Sequence, residues 1–320
     1  MNKVSVGILG ASGYAGRELC TLVERHPSFE LAFAAAHSRA GEKVRIAGRG
    51  LTLIAAAEAR LDQADLVFSA LPHGASAQWV EKAHAAGAKV VDLSADLRPG
   101  NGAALEVPYG LTELMRPQLA GATVVANPGC YPTAILIALA PLAQRGLIVP
   151  GATIAVSAAS GVTGAGAAPK PELMFAEVSD DFRAYAVGNE HRHLAEMRSV
   201  LQGFGTDSDL LFTPHLLPVA RGILATMTVP VTAHIDHPLT LWHEMYRHEP
   251  FVEVSETMPA LRDVVYRNVV RVSATHAANV RQPTLIVVAA IDNLVKGAAG
   301  QAVQNANVLF GFDETAGLPA

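Results

Sequence analysis

The sequence predicts an α/β protein of two domains, and three observations carry that expectation. Over residues 4–126, short apolar runs alternate with helical patterns, the signature of a parallel sheet with crossover helices. Beyond residue 130 the strand candidates lengthen and mix small or hydroxyl residues with large apolar ones, as in an α+β sheet covered on one face. The chain has 320 residues, half of them hydrophobic, which is enough for two cores.

In order, strands are predicted at 4–9, 31–35, 66–71, 90–93 and 123–126, with helices at 15–25 and 76–86 between them. Each run has strand length and ends in turn residues, whereas the helical segments repeat apolar residues every three or four positions. An apolar helical pattern over 134–147 follows. The later strand candidates are 153–158, 210–213, 223–229, 269–274 and 284–291, and helical patterns lie at 194–201 and 294–309. A final helix in such proteins can return to the first domain. Residues 161–168 form the main Gly/Ala-rich loop.

Composition excludes several classes. A net charge of −5, with no run of Arg or Lys interleaved with aromatics, argues against nucleic acid as a partner. The chain enters a strand at Val4 without a basic and then apolar leader. The most apolar stretch, 134–149, contains Pro141, Gln144 and Arg145 and is too short to span a bilayer comfortably. A soluble cytoplasmic protein is expected. Of the two cysteines, Cys20 lies between Leu19 and Leu22 and reads as core filler, so no disulfide is expected.

Cys130 stands in Asn-Pro-Gly-Cys-Tyr-Pro-Thr (127–133), between a predicted strand and a predicted helix. Proline is tolerated in the first turn of a helix, where its missing N–H would be unpaired anyway, so Pro132 is expected to mark the helix start. The thiol then lies just ahead of open N–H groups. A helix N-terminus stabilises a nearby anion by only about 0.3–1 kcal/mol, too little to ionise a thiol of pKa about 8.5 at neutrality. A base or cation must help if Cys130 is a nucleophile; otherwise it is a buried cysteine at a strand-helix junction.

Gly10, Gly13 and Gly16 directly follow the first strand. Glycines there permit a tight turn, close approach of backbone to a pyrophosphate and close helix packing, the pattern of a dinucleotide site. An NAD site usually places an acid at the end of the second strand, but here the chain reads Ala36, His37, Ser38, Arg39, Ala40, with no acid until Glu42. A hydroxyl beside an arginine suits a 2′-phosphate, so NADP is expected, read by Ser38 and Arg39.

Gly-Asn-Glu-His-Arg-His (188–193) supplies candidate partners for the thiol, since histidine is the usual group that takes or returns a thiol proton. His191 and His193 compete for the role, His193 being slightly preferred. The same pair could hold zinc with Cys130 or His215, but no further cysteine or tight acidic cluster is at hand. No metal is expected. Arg98, Arg192 and Arg221 are candidates for binding an anionic substrate. The histidines at 234, 237, 243 and 248 read as surface residues.

Together these motifs resemble the N-acetyl-γ-glutamyl-phosphate reductase family, relatives of the aspartate-semialdehyde dehydrogenases. The resemblance spans nearly the whole chain: G-A-S-G-Y-A-G (10–16), L-P-H-G (71–74), D-L-S-A-D-L-R (92–98), N-P-G-C-Y-P-T (127–133), S-G-V-T-G-A-G (160–166), H-R-H (191–193), T-P-H-L (213–216), R-G-I-L (221–224) and D-N-L-V-K-G-A-A-G-Q-A (292–302). It implies a Rossmann NADP(H)-binding domain (1–129 plus 297–320) with an inserted α+β catalytic and oligomerisation domain (130–296). It also implies NADPH-dependent reduction of an acyl phosphate in arginine biosynthesis, with release of inorganic phosphate, by a homo-oligomer of two or four chains. By resemblance Cys130 is the nucleophile and His193 or His191 the acid/base. Ser12, Tyr14, Ala15, Leu71, Pro72 and Gly161 join the glycines at the cofactor, and Asn293 lies near the nicotinamide. Asn127, Ser160 and Glu190 join the three arginines at the substrate. A relative acting on the aminoadipyl homologue, in lysine biosynthesis, tends to carry Gly-Cys-Asn at the cysteine, which this chain does not. One methylene is worth only about 1–3 kcal/mol of discrimination, so some cross-activity is expected.

Overall fold

A computed structural model describes residues 3–103 and 105–320, and the chain divides into two compact units. The first comprises Met1–Gly129, Gly166–Ala168 and Ala298–Ala320. Its elements are β1 (Val4–Leu9), α1 (Tyr14–Arg25), β2 (Phe29–Ala36), the hairpin β3 (Lys43–Ile46) and β4 (Arg49–Thr52), β5 (Ile54–Ala55), β6 (Leu66–Ser69), α2 (Ala77–Ala85), β7 (Lys89–Asp92), α3 (Thr112–Leu119), β8 (Val124–Ala126) and a C-terminal helix (Gly300–Phe310). Six strands pair in parallel in the order β5-β2-β1-β6-β7-β8. Chain order reverses beside β1, the kind of switch point at which open parallel sheets bind ligands at their carboxyl ends.

Alternation along each strand builds two cores, one on each face of this sheet. Ile8, Phe68, Val91 and Val125 enter one, with Leu19 and Val23 of α1 and Ala302, Val303 and Ala306 of the C-terminal helix. Leu9, Val67, Val90 and Val124 enter the other, with Val80 and Ala83 of α2. Cys20 is fully buried in the first core and its thiol is pushed up to about 12 by that burial, as befits inert filler.

The C-terminal helix is buried nearly all round and yet carries Gln301, Gln304, Asn305 and Asn307 inward. Buried amides are tolerated when bonded. Gln301 and Asn305 donate to the Gly110 carbonyl at 3.0 and 2.8 Å, Gln304 donates to Glu113 and Glu314, and Asn307 donates to the Glu314 and Ala316 carbonyls. Gly311, at φ 66°, terminates the helix in the left-handed conformation that glycine adopts without strain.

The second unit comprises Cys130–Ala165 and Pro169–Gly297. It contains α4 (Cys130–Ala143), β9 (Thr153–Gly161), the one-turn α5 (Phe175–Val178), β10 (Arg183–Ala184), α6 (His193–Gly203), β11 (Asp209–Leu217), β12 (Ile223–Pro230), α7 (Leu239–Tyr246), β13 (Val252–Val254), β14 (Val270–His276) and β15 (Thr284–Ile291). A mixed sheet runs β10-β11-β9-β12-β15-β14-β13. In β12, Ile223, Ala225, Met227 and Val229 are buried and alternate with more open Leu224, Thr226 and Thr228, the pattern of a sheet covered on one face.

The helix α4 is apolar on every side and is buried after its first residue, as a core helix should be. Pro141 removes the N–H that would bond the Ile137 carbonyl, and the Tyr246 hydroxyl donates to that oxygen instead at 2.6 Å. Trp242 donates to the next carbonyl, Ala138, at 3.0 Å. The sequence pattern misplaced both ends of α4. It begins at Cys130, not Pro132, because none of the first four helical N–H groups needs an acceptor and proline fits the third position as well as the first. It stops at Ala143 because Gln144, Arg145 and Gly146 are exposed and Gly146 takes φ 63°.

Residues 294–309 were expected as one helix, but Val295–Ala299 form a π-helical turn ahead of the C-terminal helix. The β3-β4 hairpin and α3 with its internal Pro117 had no clear periodic signal because they are short and largely polar, and α7 is short but mostly apolar, with Trp242 and Tyr246 buried. His234, His237, His243 and His248 are exposed, as expected. Among the described residues no helix is long and apolar enough to cross a membrane.

The glycine turn supplies a stability test. A Cβ on Gly16 would lie 2.3 Å from the Gly10 carbonyl oxygen and 2.8 Å from Ala11 Cα, backbone that cannot yield. Gly16→Ala should cost about 1–3 kcal/mol of stability by overpacking, read as a lower thermal midpoint. Gly13→Ala, whose nearest such contact is 3.5 Å at φ −73°, should fold as well as the parent.

Candidate active site

The chain leaves β8 at Ala126 and turns through Asn127, Pro128 and Gly129 to Cys130. Asn127 is fully buried and clamped on every side. Its N–H donates to the Asp92 carbonyl at 2.7 Å, its side chain donates to the Ala298 carbonyl at 3.2 Å, and Asn305 donates to its Oδ1 at 2.9 Å. Arg98, also buried, donates from Nε to the Asn127 carbonyl at 2.8 Å and from Nη2 to the Leu93 carbonyl at 2.6 Å. Both residues were expected at the substrate. Here they satisfy carbonyl and amide groups that parallel strand ends leave without ladder partners.

The same strand ends carry a second network. Asp92 is buried and accepts from Ser76 and Ser94 hydroxyls at 2.6 and 2.7 Å; burial pushes its carboxyl up, with those hydrogen bonds opposing. Asp96 accepts the N–H groups of Gly74, Ser76 and Ala77 and contacts His73 at 2.7 Å. Burial acts to raise its pKa, but the backbone donors and His73 outweigh it, and the net shift is downward.

Cys130 is half-buried in the first turn of α4. A Cβ placed on Gly297 would lie 2.7 Å from the Cys130 Cβ, so the π-helical turn packs its backbone directly on the cysteine. Tyr131 follows it in the chain, and Tyr185 lies near enough to feel a charge on its sulfur. The hydroxyls of Tyr131 and Tyr185 are 3.0 Å apart, and the Tyr131 ring meets His191 and His193 edge-on at 5.4 and 6.1 Å between centroids. Burial pushes both phenols up, Tyr185 to about 12, and a charge on Cys130 pushes both the same way. Tyr185 carried no motif, and only the fold brings it here.

The histidines are placed by a turn that uses Gly188 at φ 86° and Asn189 at φ 65°. Asn189 donates to the Leu210 carbonyl at 2.9 Å and accepts the Phe212 N–H at 2.8 Å, standing in for a strand neighbour of β11. The His193 N–H donates to His191 Nδ1 at 3.2 Å, which leaves the proton of neutral His191 on Nε2. Burial, and then the charge of Arg192, push His191 down to about 4. Glu190 and Arg192 are exposed on this turn, and His193 is buried at the start of α6.

A third group joins the loops after β9 and β11. Asn293 accepts the Gly222 N–H at 2.7 Å and donates to Thr163 Oγ1 at 3.0 Å. The Gly161 N–H donates to the Gly222 carbonyl at 2.9 Å, and a Cβ there would lie 2.8 Å from Ala220 O and Arg221 N. Gly161 and Asn293 were expected at the cofactor; this structure uses both to fasten one loop to the other. Ser160 is buried and donates to the Gly161 carbonyl at 3.1 Å. Arg221 stands 3.6 Å from Asp292 Oδ2 with its guanidinium over the Tyr266 ring.

In the first unit, Gly10 (φ 80°) makes the turn after β1, and a Cβ on it would meet the Ala70 carbonyl oxygen at 2.3 Å. Gly13 caps α1 with no side-chain hydrogen bond and no acid in the first turn, so Ser12, Gly13, Tyr14, Ala15 and Gly16 form an uncapped, electropositive helix start that fits a pyrophosphate. Leu71 is half-buried and Pro72 exposed just beyond β6. Ser38 is exposed after β2. Arg39 is not waiting unpaired for a phosphate, because Glu42 holds it through Nη2 at 2.6 Å. Both side chains are well exposed, so the pair is weak and a phosphate dianion can compete for it. Among the described residues no group of three His, Cys, Asp or Glu is disposed to hold a metal ion.

Comparison with known proteins follows the same division. Residues 5–122 match the family model described as semialdehyde dehydrogenase, NAD binding domain, and residues 130–293 match semialdehyde dehydrogenase, dimerisation domain. The chain is 41% identical to the N-acetyl-gamma-glutamyl-phosphate reductase of Desulfotalea psychrophila, covering 98% of each chain. It is 45% identical to that of Salinispora arenicola, covering 99% of this chain and 98% of the relative. Among solved structures, aspartate semialdehyde dehydrogenase II of Vibrio cholerae complexed with ASA superposes with a TM-score of 0.78 at 20% identity, over 97% of this chain and 99% of that one, a likeness of fold.

The buried His191 makes stability depend on pH in a defined window. Its ordinary value of 6.5 falls to about 4 in the fold, so between these pH values the unfolded chain binds more protons. Its contribution therefore weakens as pH falls from about 6.5 towards 4 and levels off below. Denaturant unfolding of the parent and His191→Asn at stepped pH should show a shallower loss for the variant across that window; equal slopes would contradict a buried neutral ring.

Proposed function

The chain belongs to the N-acetyl-γ-glutamyl-phosphate reductases, a branch of the semialdehyde dehydrogenases, and on that footing we propose how its residues reduce N-acetyl-γ-glutamyl phosphate to N-acetylglutamate 5-semialdehyde and phosphate. The observation that carries the reading is Cys130 in the first turn of α4, followed by Tyr131, whose ring meets His191 and His193 and whose hydroxyl meets Tyr185.

In this reading the Cys130 thiolate attacks the γ-acyl carbon. The tetrahedral oxyanion is held by N–H groups of the helix start and collapses, expelling phosphate and leaving a thioester on sulfur. When bound, NADPH would supply hydride to the thioester carbonyl, and a proton given by His193 would complete the thiohemiacetal hydroxyl. Cys130 then leaves as thiolate while the hydroxyl proton of the thiohemiacetal passes to a base, and the aldehyde is released. Sulfur is needed because a thioester accepts hydride far more readily than a carboxylate.

His193 takes the proton-transfer role. His191, at about 4 and with Nδ1 committed to the His193 N–H, is a poor proton donor near neutrality and instead orients its neighbour. Arg192 and Arg221, with Glu190 beside the former, bind the substrate's anionic groups. Arg98 and Asn127 contribute by holding the strand end that leads into Cys130.

The nucleotide reading rests on the uncapped start of α1 and the glycines that keep its approach clear. NADP is preferred over NAD because Ser38 and Arg39 stand where an NAD site carries an acid, and Glu42 must yield Arg39 to the 2′-phosphate. A cytoplasmic homo-oligomer of two or four chains is part of the proposal, supported by the dimerisation domain matched over residues 130–293.

The purified protein should reduce NADP in the presence of N-acetylglutamate 5-semialdehyde, and only when phosphate is added. Cys130→Ser should abolish this turnover yet bind NADPH with the parent's affinity by calorimetry; retained turnover would rule out covalent catalysis. Arg39→Ala should raise the KM for NADPH far more than that for NADH, and equal effects would remove Arg39 from cofactor selection.

A further inference from the structure

We propose that Tyr266 is a positioning residue for Arg221, holding that guanidinium in place to receive an anionic group of the substrate; this rests on the reading of Arg221 as an anion binder. The first observation is backbone geometry. Tyr266 sits at φ 67°, and the other non-glycine residues with positive φ among the described residues are Ala47, Asp180, Ala186, Asn189 and Asn279. A bulky aromatic residue is a true outlier there, and such a conformation persists only where the surroundings over-determine it. Glycine would satisfy the same backbone without strain, so the tyrosine side chain is what the position retains.

The second observation is what the side chain does. It is 65% exposed, so it fills no core, and its ring lies 4.8 Å from the Arg221 guanidinium carbon. Contact with a ring face attracts the cation without consuming an N–H donor, so it orients the arginine. The third is a shared anchor. Asp292 Oδ2 accepts the Tyr266 N–H at 2.7 Å and faces Arg221 Nη1 at 3.6 Å. One fully buried carboxylate thus fixes the strained backbone and balances the arginine's charge, while the tyrosine ring bounds its swing. Arg221 itself projects from the turn next to Gly222, at φ 109°, which Asn293 holds through its N–H.

The test compares Tyr266→Gly, Tyr266→Phe and Arg221→Ala in the oxidative direction, with separate KM values for the semialdehyde, phosphate and NADP. Tyr266→Gly relieves the backbone strain, so its thermal midpoint should equal or exceed the parent's. Its KM for semialdehyde or phosphate should nevertheless rise about three- to tenfold, the scale of a lost cation–π contact, with kcat and the KM for NADP little changed. Tyr266→Phe, which keeps the ring, should restore the parent's KM. If Arg221→Ala raises an anion KM but Tyr266→Gly does not, the inference is overturned and the reading of Arg221 stands. If Arg221→Ala leaves both anion KM values unchanged, the reading of Arg221 fails and takes the inference with it.

Discussion

The second unit turns on one buried carboxylate. Asp292 follows β15 with no solvent exposure, and such a group is tolerated only when its oxygens are bonded and its charge is met. Oδ1 accepts the Leu294 and Val295 N–H groups, Oδ2 accepts the Tyr266 N–H, and Arg221 stands beside it. Those bonds start the π-helical turn, whose Gly297 N–H returns to the Asp292 carbonyl and whose Gly297 backbone rests on Cys130. The next residue, Asn293, joins the two loops that carry Thr163 and Arg221. Thiol and arginine are therefore placed by neighbouring residues at one strand end.

The first unit solves a different problem by related means. A parallel sheet leaves unpaired polar groups at its strand ends, and here they are met by side chains buried with them. Arg98 caps two carbonyls, Asn127 ties the last strand to the C-terminal segment, and Asp92 and Asp96 gather serine hydroxyls and the first N–H groups around α2. Arg98 and Asn127, which motifs mark as functional, also make these structural hydrogen bonds. Their removal should disturb a site by loosening its frame, which is a different effect from losing a contact to substrate.

Periodicity located most long elements within a few residues because strands of period two and helices of period 3.6 bury regular faces. It failed where other forces decide. The π-helical turn at Val295–Ala299 has the composition of an ordinary helix, and its register is imposed by Asp292. The β3-β4 hairpin and α3 are too short or too polar to show a period. In the site, Cys130 and the two histidines stood out because their residue types and neighbours announce reactivity. Tyr185 and Tyr266 did not, since a lone tyrosine in a polar segment has no pattern.

From the sequence alone come the α/β class, the glycine turn after the first strand, the family, and the residue types available for acyl transfer and hydride reduction. These follow from local rules, because helix, strand and turn preferences and motif spacing act over a few residues. Only the tertiary structure decides which polar residues face one another. It sets Glu42 against Arg39, lowers His191 by burial, and turns Gly161 and Asn293 into fasteners between loops. Burial and hydrogen-bond pairing depend on residues far apart in the chain, and they decide whether a polar side chain is spent on the fold or left for chemistry.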